Sequence, residues 1–314
     1  MAKSENNKEY KLIIVGTGPA GYTASIYASR YKVQNLLIGA LPGGQIAKAH
    51  KVGNFPGFSE VSGMELAQKI EKHVDELGAN KIIDNVIDIE KINNQFIVKT
   101  ANLGSFKSKA VLLATGTRRR KLDLPREHQF LGKGVSYCAT CDASFYKNKV
   151  VGVVGGANAA TTAALLLSDI ADKVYIIYRQ QNLRGDPIWI DQVKAKPNIK
   201  IILNTNVTGL LGNDQLEKVQ LDHSYKGANE LALDGLFLEI GSIPSTEFIQ
   251  SLDIETTDKD YIKVGKDQAT NIKGLYAAGD ITDGSNGFRQ VITACSEGAI
   301  AANSIYEYLS QLTD

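Results

Sequence analysis

Cysteine is scarce in this sequence, with three in 314 residues. A disulfide framework is therefore excluded as the source of its stability. No apolar run approaches the ~20 residues that a membrane-spanning helix needs, so no membrane partner is expected. Excess charge of either sign is missing too: 35 Lys and Arg stand against 34 Asp and Glu, a formal net charge of +1. Bulk electrostatics gives no reason to expect nucleic acid as a partner. Residues 1–8 are polar and lack the apolar core of a signal peptide, so a cytoplasmic protein is expected. Apolar material is not lacking. It makes up 43% of the chain against 22% charged, enough for a sizeable core, and the length allows two domains of ordinary size.

What the sequence does contain is a loose internal repeat. Residues 11–15 form a short apolar run, Gly16-Thr17-Gly18-Pro19-Ala20-Gly21 follows, a helix-like stretch reaches Arg30, and Leu36-Leu37-Ile38 closes the unit. The pattern returns at residues 150–154, then Gly155-Gly156-Ala157-Asn158-Ala159-Ala160, a helical stretch towards Ile170, and Val174-Tyr175-Ile176-Ile177. Each unit reads as strand, glycine turn, helix, strand. Together they predict an α/β fold with two Rossmann-like dinucleotide-binding domains. Residues 86–114 read as short strands with turns at Asn93-Asn94 and Leu103-Gly104, and residues 216–221 and 229–233 as a hairpin leading into 235–240. These are small antiparallel β insertions. Residues 274–309 read as an apolar run, an acidic turn and a long amphipathic helix. If that segment returns to the first unit, residues 1–117 with 244–314 form one discontinuous domain and 118–243 an inserted one.

Gly16-x-Gly18-x-x-Gly21 has the spacing of a pyrophosphate cradle: a tight turn, a close backbone approach and a close helix–strand contact, with a helix N-terminus facing the anion. The acidic residue that would hold a ribose after the next strand is missing, since Gly39-Ala40 stand there. Cys138-Ala139-Thr140-Cys141-Asp142 places two cysteines at a helix start, where a thiol pKa falls and a small disulfide can close. Asp142 is placed to pass a proton to a departing thiolate. Zinc would need two more ligands. Only Cys295 remains, and His50, His73, His128 and His223 show no paired spacing, so no metal is expected. Arg118-Arg119-Arg120-Lys121 reads as a solvated loop at the domain junction. Trp189 reads as a packing residue as readily as a neighbour for an adenine.

The chain resembles the low-molecular-weight thioredoxin reductases, FAD proteins of the pyridine-nucleotide disulfide oxidoreductase class. The resemblance runs from Tyr10 to Leu309. It is carried by Gly16-Thr17-Gly18-Pro19-Ala20-Gly21, Gly43-Gly44-Gln45, Asn54-Phe55-Pro56-Gly57, Ala114-Thr115-Gly116-Thr117, Cys138-Ala139-Thr140-Cys141-Asp142, Ala278-Gly279-Asp280 and Arg289-Gln290-Val291, in that order. It implies FAD on the discontinuous domain, with Gly16, Gly18, Pro19, Ala20 and Gly21 at the pyrophosphate. Gly43, Gly44, Gln45 and Asn54 would line the isoalloxazine side, and Ala114, Thr115 and Gly116 would complete the site. Gly279 and Asp280 would meet the ribityl or pyrophosphate region, and Arg289, Gln290 and Val291 would lie near the flavin ring. The missing acid at Gly39 is usual in this family.

The same resemblance implies NADPH on the inserted domain, at Gly155, Gly156, Asn158 and Ala159, with Arg179 and Arg184 on the 2′-phosphate. Three departures stand out: Ala157 replaces the middle glycine, and Tyr178 and Gln180 replace the histidine and an arginine of the His-Arg-Arg-x-x-x-Arg pattern. The implied activity passes electrons from NADPH through FAD and the Cys138–Cys141 disulfide to a thioredoxin-like protein. Cys141 would face the flavin, Cys138 would attack the partner, and Asp142 would be the acid/base. A homodimer is implied, with the inserted domain turning about hinges near Arg118 and Ser245. Two other functions stay open at this point: a disulfide reductase fed by ferredoxin or a second flavin, and a redox-sensing FAD protein without turnover.

Overall fold

The computed structural model describes residues 8–312; the polar stretch at residues 1–7 lies outside them. The chain divides into two compact units, one of residues 8–47, 52–118 and 243–312, the other of 48–51 and 119–242. None of the described helices is long and apolar enough to cross a membrane.

The first unit is built on a sheet ordered β3-β2-β1-β6-β5-β4, with β17 also paired to β6. The strands are β1 (Glu9–Val15), β2 (Asn35–Ile38), β3 (Asn80–Ile82), β4 (Val86–Ile92), β5 (Gln95–Thr100), β6 (Gly104–Leu113) and β17 (Leu275–Ala277). β1, β2, β3, β6 and β17 run parallel, and β4 and β5 are the antiparallel insertion. Side chains alternate across the pleat. Leu12, Ile14, Leu37 and Leu112 enter one apolar cluster with Tyr22, Ala301 and Ile305 from helices α1 (Pro19–Arg30) and α7 (Val291–Gln311). Ile13, Val15, Leu36, Ile38 and Val111 enter another with Phe96, Val98 and Phe106. Both faces are thus covered, which is why these strands read as continuous apolar runs. Helix α2 (Gly63–Glu76) starts at Ser62, whose hydroxyl accepts the N–H of Glu65.

The second unit carries a wholly parallel sheet ordered β11-β10-β9-β15-β8. Its strands are β8 (Val135–Ser136), β9 (Val150–Val154), β10 (Lys173–Ile177), β11 (Ile199–Ile202) and β15 (Gly235–Leu238). Helices α3 (Glu127–Phe130), α4 (Ala139–Asp142), α5 (Asn158–Ser168) and α6 (Pro187–Ala195) complete it, together with a second sheet. That sheet is a three-stranded meander, β12 (Val207–Leu211), β13 (Lys218–Tyr225) and β14 (Ala228–Ala232), not the two-stranded hairpin expected. Its Leu210, Val219 and Leu221 cover Ile177, Leu236 and Leu238 from the parallel sheet. Trp189 is half-buried in the first turn of α6.

The connecting strands β7 (Thr117–Arg119) and β16 (Ser242–Pro244) pair with each other. The basic run is therefore not a solvated loop at its start. Strand alternation sends Arg118 and Arg119 to opposite sides. Arg118 Nε donates to Glu247 Oε1 at 2.6 Å, and Arg119 Nη1 is paired with Glu239 Oε2.

Candidate dinucleotide and disulfide sites

In the first unit, the parallel sheet ends at a crevice between β1 and β6, where the strand order reverses. Gly16 closes β1 at φ +120°, and a Cβ there would lie 2.2 Å from the carbonyl oxygen of Ala114. Gly18 caps α1 in an extended conformation, φ −89° and ψ −175°. The only atom near a Cβ added at Gly18 is Gly44 Cα, at 3.9 Å. A side chain at residue 18 would therefore fill open space in front of the helix. There the first-turn N–H groups have no intrahelical acceptor. Pro19 supplies the fixed φ of the first helical position without adding a donor. This cradle fits a pyrophosphate.

The loop after β2 approaches the same turn. Gly43 and Gly44 are left-handed, at φ +79° and +63°. Gly43 N–H donates to the buried Tyr22 hydroxyl at 3.1 Å, and Gln45 Nε2 donates to Thr117 O at 3.2 Å. Burial pushes the Tyr22 phenol up to about 12. Position 39 has no acid for a packing reason: a Cβ there would meet Thr17 Oγ1 at 2.5 Å, and that hydroxyl donates to Leu41 O. Asn54 Nδ2 donates to Gln290 Oε1 at 2.9 Å, joining residues 236 apart in sequence. Ala114 continues β6 against Val15 through its N–H, Thr115 Oγ1 donates to Ser245 O, and Gly116 turns at φ +61°.

After β17, Gly279 turns at φ +83° and Asp280 follows. Burial raises the Asp280 carboxyl to about 6, with the Arg289 guanidinium pulling the other way. Arg289 Nε donates to Asp280 O at 3.3 Å, and its guanidinium lies 3.8 Å from the Tyr261 ring centre. Gln290 caps α7, which begins at Val291, in a reciprocal capping box with Thr293. Glu297, buried within α7, was not marked by any local pattern. Its carboxylate accepts from Gly279 N–H at 2.7 Å, Thr282 Oγ1 at 3.1 Å and Ser285 Oγ at 2.6 Å, and so fixes the turn that carries Asp280.

The second unit repeats the first turn with differences. Gly155 lies at φ +142°, where a Cβ would stand 2.3 Å from Glu239 O. Ala157 caps α5 at φ −100° and ψ −172°, nearly the angles of Gly18. The alanine is unstrained, and its methyl group stands where Gly18 leaves space. Gly156 lies under the Tyr178 ring, which a Cβ would meet at 2.4 Å, and Tyr178 Oη donates to Gln180 Oε1 at 3.0 Å. Arg184 N–H donates to Gly156 O and Asp186 N–H to Asn158 Oδ1, each at 2.6 Å. These bonds fold the residues after β10 across the start of α5, where Ala159 follows Asn158. The side chains of Arg179 and Arg184 are exposed, and no carboxylate among the described residues pairs with either. The cradle fits a dinucleotide with a 2′-phosphate, with the pyrophosphate seat narrowed by one methyl group.

Beyond β8 in the same sheet, Cys138 and Cys141 are joined as a disulfide, with Cα atoms 5.3 Å apart. Cys138 caps α4, and Cys141 N–H donates to Cys138 Sγ at 3.2 Å. The helix is a single turn of four residues, so that N–H contact matters more than any macrodipole. Ser136 was not anticipated. Its hydroxyl donates to Asp142 Oδ2 at 2.7 Å and accepts Cys138 N–H at 3.0 Å, tying the acid to the disulfide turn. Phe145, four residues past Cys141, is 71% exposed.

A family described as pyridine nucleotide-disulphide oxidoreductase matches residues 10–298. The chain belongs to this family. It is 39% identical over 294 residues to a thioredoxin reductase of Mycoplasma genitalium, covering 93% of each chain. The crystal structure of Lactococcus lactis thioredoxin reductase superposes with a TM-score of 0.91 at 32% identity, covering 96% of this chain and 99% of that one. A ferredoxin-flavin thioredoxin reductase from Clostridium acetobutylicum superposes with a TM-score of 0.54 at 30% identity, covering 98% of this chain and 100% of that one.

Proposed function

We propose that this chain is a flavin-dependent thioredoxin reductase that draws on NADPH and reduces a thioredoxin-like protein disulfide. The observation that carries the reading is the closed Cys138–Cys141 disulfide on the parallel sheet that also ends in the second glycine turn. In this reading residues 1–117 with 244–314 bind FAD, and residues 118–243 bind NADPH and carry the disulfide. FAD, when bound, supplies a two-electron carrier between the donor and the disulfide.

The chain's own residues do the rest. Gly18 keeps the pyrophosphate seat open, Gly43 to Gln45 with Asn54 and Gln290 border the flavin ring, and the Asp280–Arg289 pair offers a carboxyl and a guanidinium to the remaining polar edge. Reduction breaks the Cys138–Cys141 S–S bond with two electrons and two protons. A thiolate of the pair then attacks the partner's disulfide, and the second cysteine displaces the mixed disulfide, so the partner leaves as a dithiol and the ring closes again. Asp142, anchored by Ser136, holds the proton exchanged with the sulfurs. Phe145 gives a protein partner an exposed aromatic anchor near the reacting bond. The same reading includes a homodimer working in the cytoplasm.

A second reading, with ferredoxin or a second flavin as donor, is favoured by three residues, Ala157, Tyr178 and Gln180. Anaerobic titration with NADPH, NADH and reduced ferredoxin separates the two. Bleaching of the flavin absorbance by NADPH within seconds is expected. Bleaching by ferredoxin alone selects the second reading. Cys141→Ser is expected to abolish reduction of thioredoxin while the flavin still accepts electrons from its donor. A variant that reduces thioredoxin at near wild-type rate removes the disulfide from the path.

A further inference from the structure

Tyr22, in α1, is 1% exposed, and its ring lies in the apolar cluster that α1 and α7 share with the first sheet. A phenylalanine would fill that space as well, so the hydroxyl needs its own account. It stands where three elements of the first unit meet. Gly43 N–H, from the loop after β2, donates to it at 3.1 Å, and no carbonyl among the described residues accepts that N–H. Burial raises the phenol's pKa, the Gly43 N–H acts to lower it, and the Glu71 carboxylate of α2, the phenol's own hydrogen-bond acceptor, acts to raise it. Glu71 in turn accepts from Lys81 Nζ of β3 at 2.8 Å.

The loop that Tyr22 holds is pressed between α2 and the first glycine turn. A Cβ at Gly43 would stand 2.7 Å from Ala67 Cβ, and Gly44 Cα lies 3.9 Å from the place of a Cβ at Gly18. Before the glycine pair, Leu41 O accepts from Thr17 Oγ1 at 2.8 Å and from Gly44 N–H at 2.9 Å. After it, Gln45 Nε2 donates to Thr117 O at 3.2 Å. Between these anchors the Gly43 N–H is held by the Tyr22 hydroxyl. Two successive left-handed glycines have the most backbone freedom to lose, and a buried N–H left without an acceptor is costly. Loss of the hydroxyl therefore lets this peptide turn. On the reading proposed above, Gly43 to Gln45 border the flavin ring. We propose that Tyr22 is a positioning residue for the flavin: its hydroxyl sets the Gly43 peptide, and with it the wall that Gly43 to Gln45 present to the ring. Helix α1 then serves the cofactor twice, through its N-terminus at the pyrophosphate and through this tyrosine at the ring.

The proposal rests on the FAD reading, and one set of measurements distinguishes the failure of either. The FAD-free full-length chain is titrated by calorimetry with FAD and with ADP, which spans only the adenosine and pyrophosphate part. The visible circular dichroism of the FAD-loaded chain is recorded beside these. Tyr22→Phe removes the hydroxyl and keeps the ring. It is expected to weaken FAD roughly tenfold and to change the flavin dichroism band, with ADP unchanged. Glu71→Gln keeps an acceptor for the phenol and is expected to change FAD affinity and the band less. An unchanged ratio of FAD to ADP affinity in Tyr22→Phe overturns the proposal, because the hydroxyl then acts on the pyrophosphate turn or not at all. An unchanged dichroism band overturns it too, since a ring whose wall has moved does not keep its signature. If Tyr22→Phe does not fold, the same two measures in Glu71→Gln decide. Wild-type protein that binds neither probe overturns the FAD reading, and the role of Tyr22 with it.

Discussion

Gly18 and Ala157 occupy the same place in two copies of one turn, at nearly the same backbone angles, and differ by a methyl group. That methyl group can be removed without backbone strain. Ala157→Gly is therefore expected to tighten NADP⁺ binding by about tenfold, near 1.4 kcal/mol, measured by calorimetry; unchanged or weaker binding would show that the methyl group does not limit the seat. These differences were legible in the sequence because a glycine turn constrains its own neighbours. Thr17, Glu239 and Glu297 were not, because each acts on a distant position. Thr17 fills the space that an acid at residue 39 would need. Glu239 pairs with Arg119 across 120 residues, and Glu297 reaches Gly279 across 18. Ser136 lies two residues before Cys138, and a hydroxyl at that spacing was the only one of these signals a local reading could have used.

At the scale of elements, local pattern and tertiary demand part company in two places. β12 contains Gly209 at a register shift, and a strand broken by a bulge loses the alternation that would announce it. α6 is nine residues long and opens on Pro187, too short for its periodicity to stand out. The antiparallel insertion of the first unit, by contrast, was legible from its turns at Asn93-Asn94 and Leu103-Gly104. Its start is held by Asp84, whose carboxylate accepts from the N–H groups of Asn85, Asn102 and Leu103 and from Asn102 Nδ2. Burial acts to raise this carboxyl, but those hydrogen bonds win and hold it at about 2, against an ordinary 3.8. Because the folded value lies below the unfolded one, the stabilisation is complete above pH 3.8 and is lost as pH falls through about 2. Asp84→Asn is expected to cost roughly 2 kcal/mol at neutral pH and to flatten the acid limb of stability. Urea midpoints measured across that range check it, and a parallel acid limb in the variant would count against this role.

At the scale of the molecule, the chain passes between its units four times, at residues 47/48, 51/52, 118/119 and 242/243, and the last two passages lie in the paired strands β7 and β16. Consecutive arginines are anchored in different units, Arg118 on Glu247 and Arg119 on Glu239. Main-chain bonds continue the clamp on each side: Arg120 N–H donates to Gly241 O at 3.0 Å and Ser245 N–H to Gly116 O at 3.2 Å. The Arg118 pair is half exposed, and such pairs contribute under ~1 kcal/mol, too little to lock the connection. The proposed electron path begins at cofactors held by both units and ends at a disulfide in one of them. If the flavin, the nicotinamide and the protein partner take turns at the disulfide, as the proposed function implies, an exchange of arrangements between the units is expected, and motions of that kind commonly set turnover. A crosslink joining the two units is expected to slow multiple turnover strongly while leaving one half-reaction near its normal rate, either flavin reduction or the disulfide step. Stopped-flow absorbance of the flavin, read beside steady-state thioredoxin reduction, measures both. Full multiple turnover by protein verified as completely crosslinked would remove the exchange, and with it the division of labour between a flavin-holding unit and a unit that carries both the donor and the disulfide.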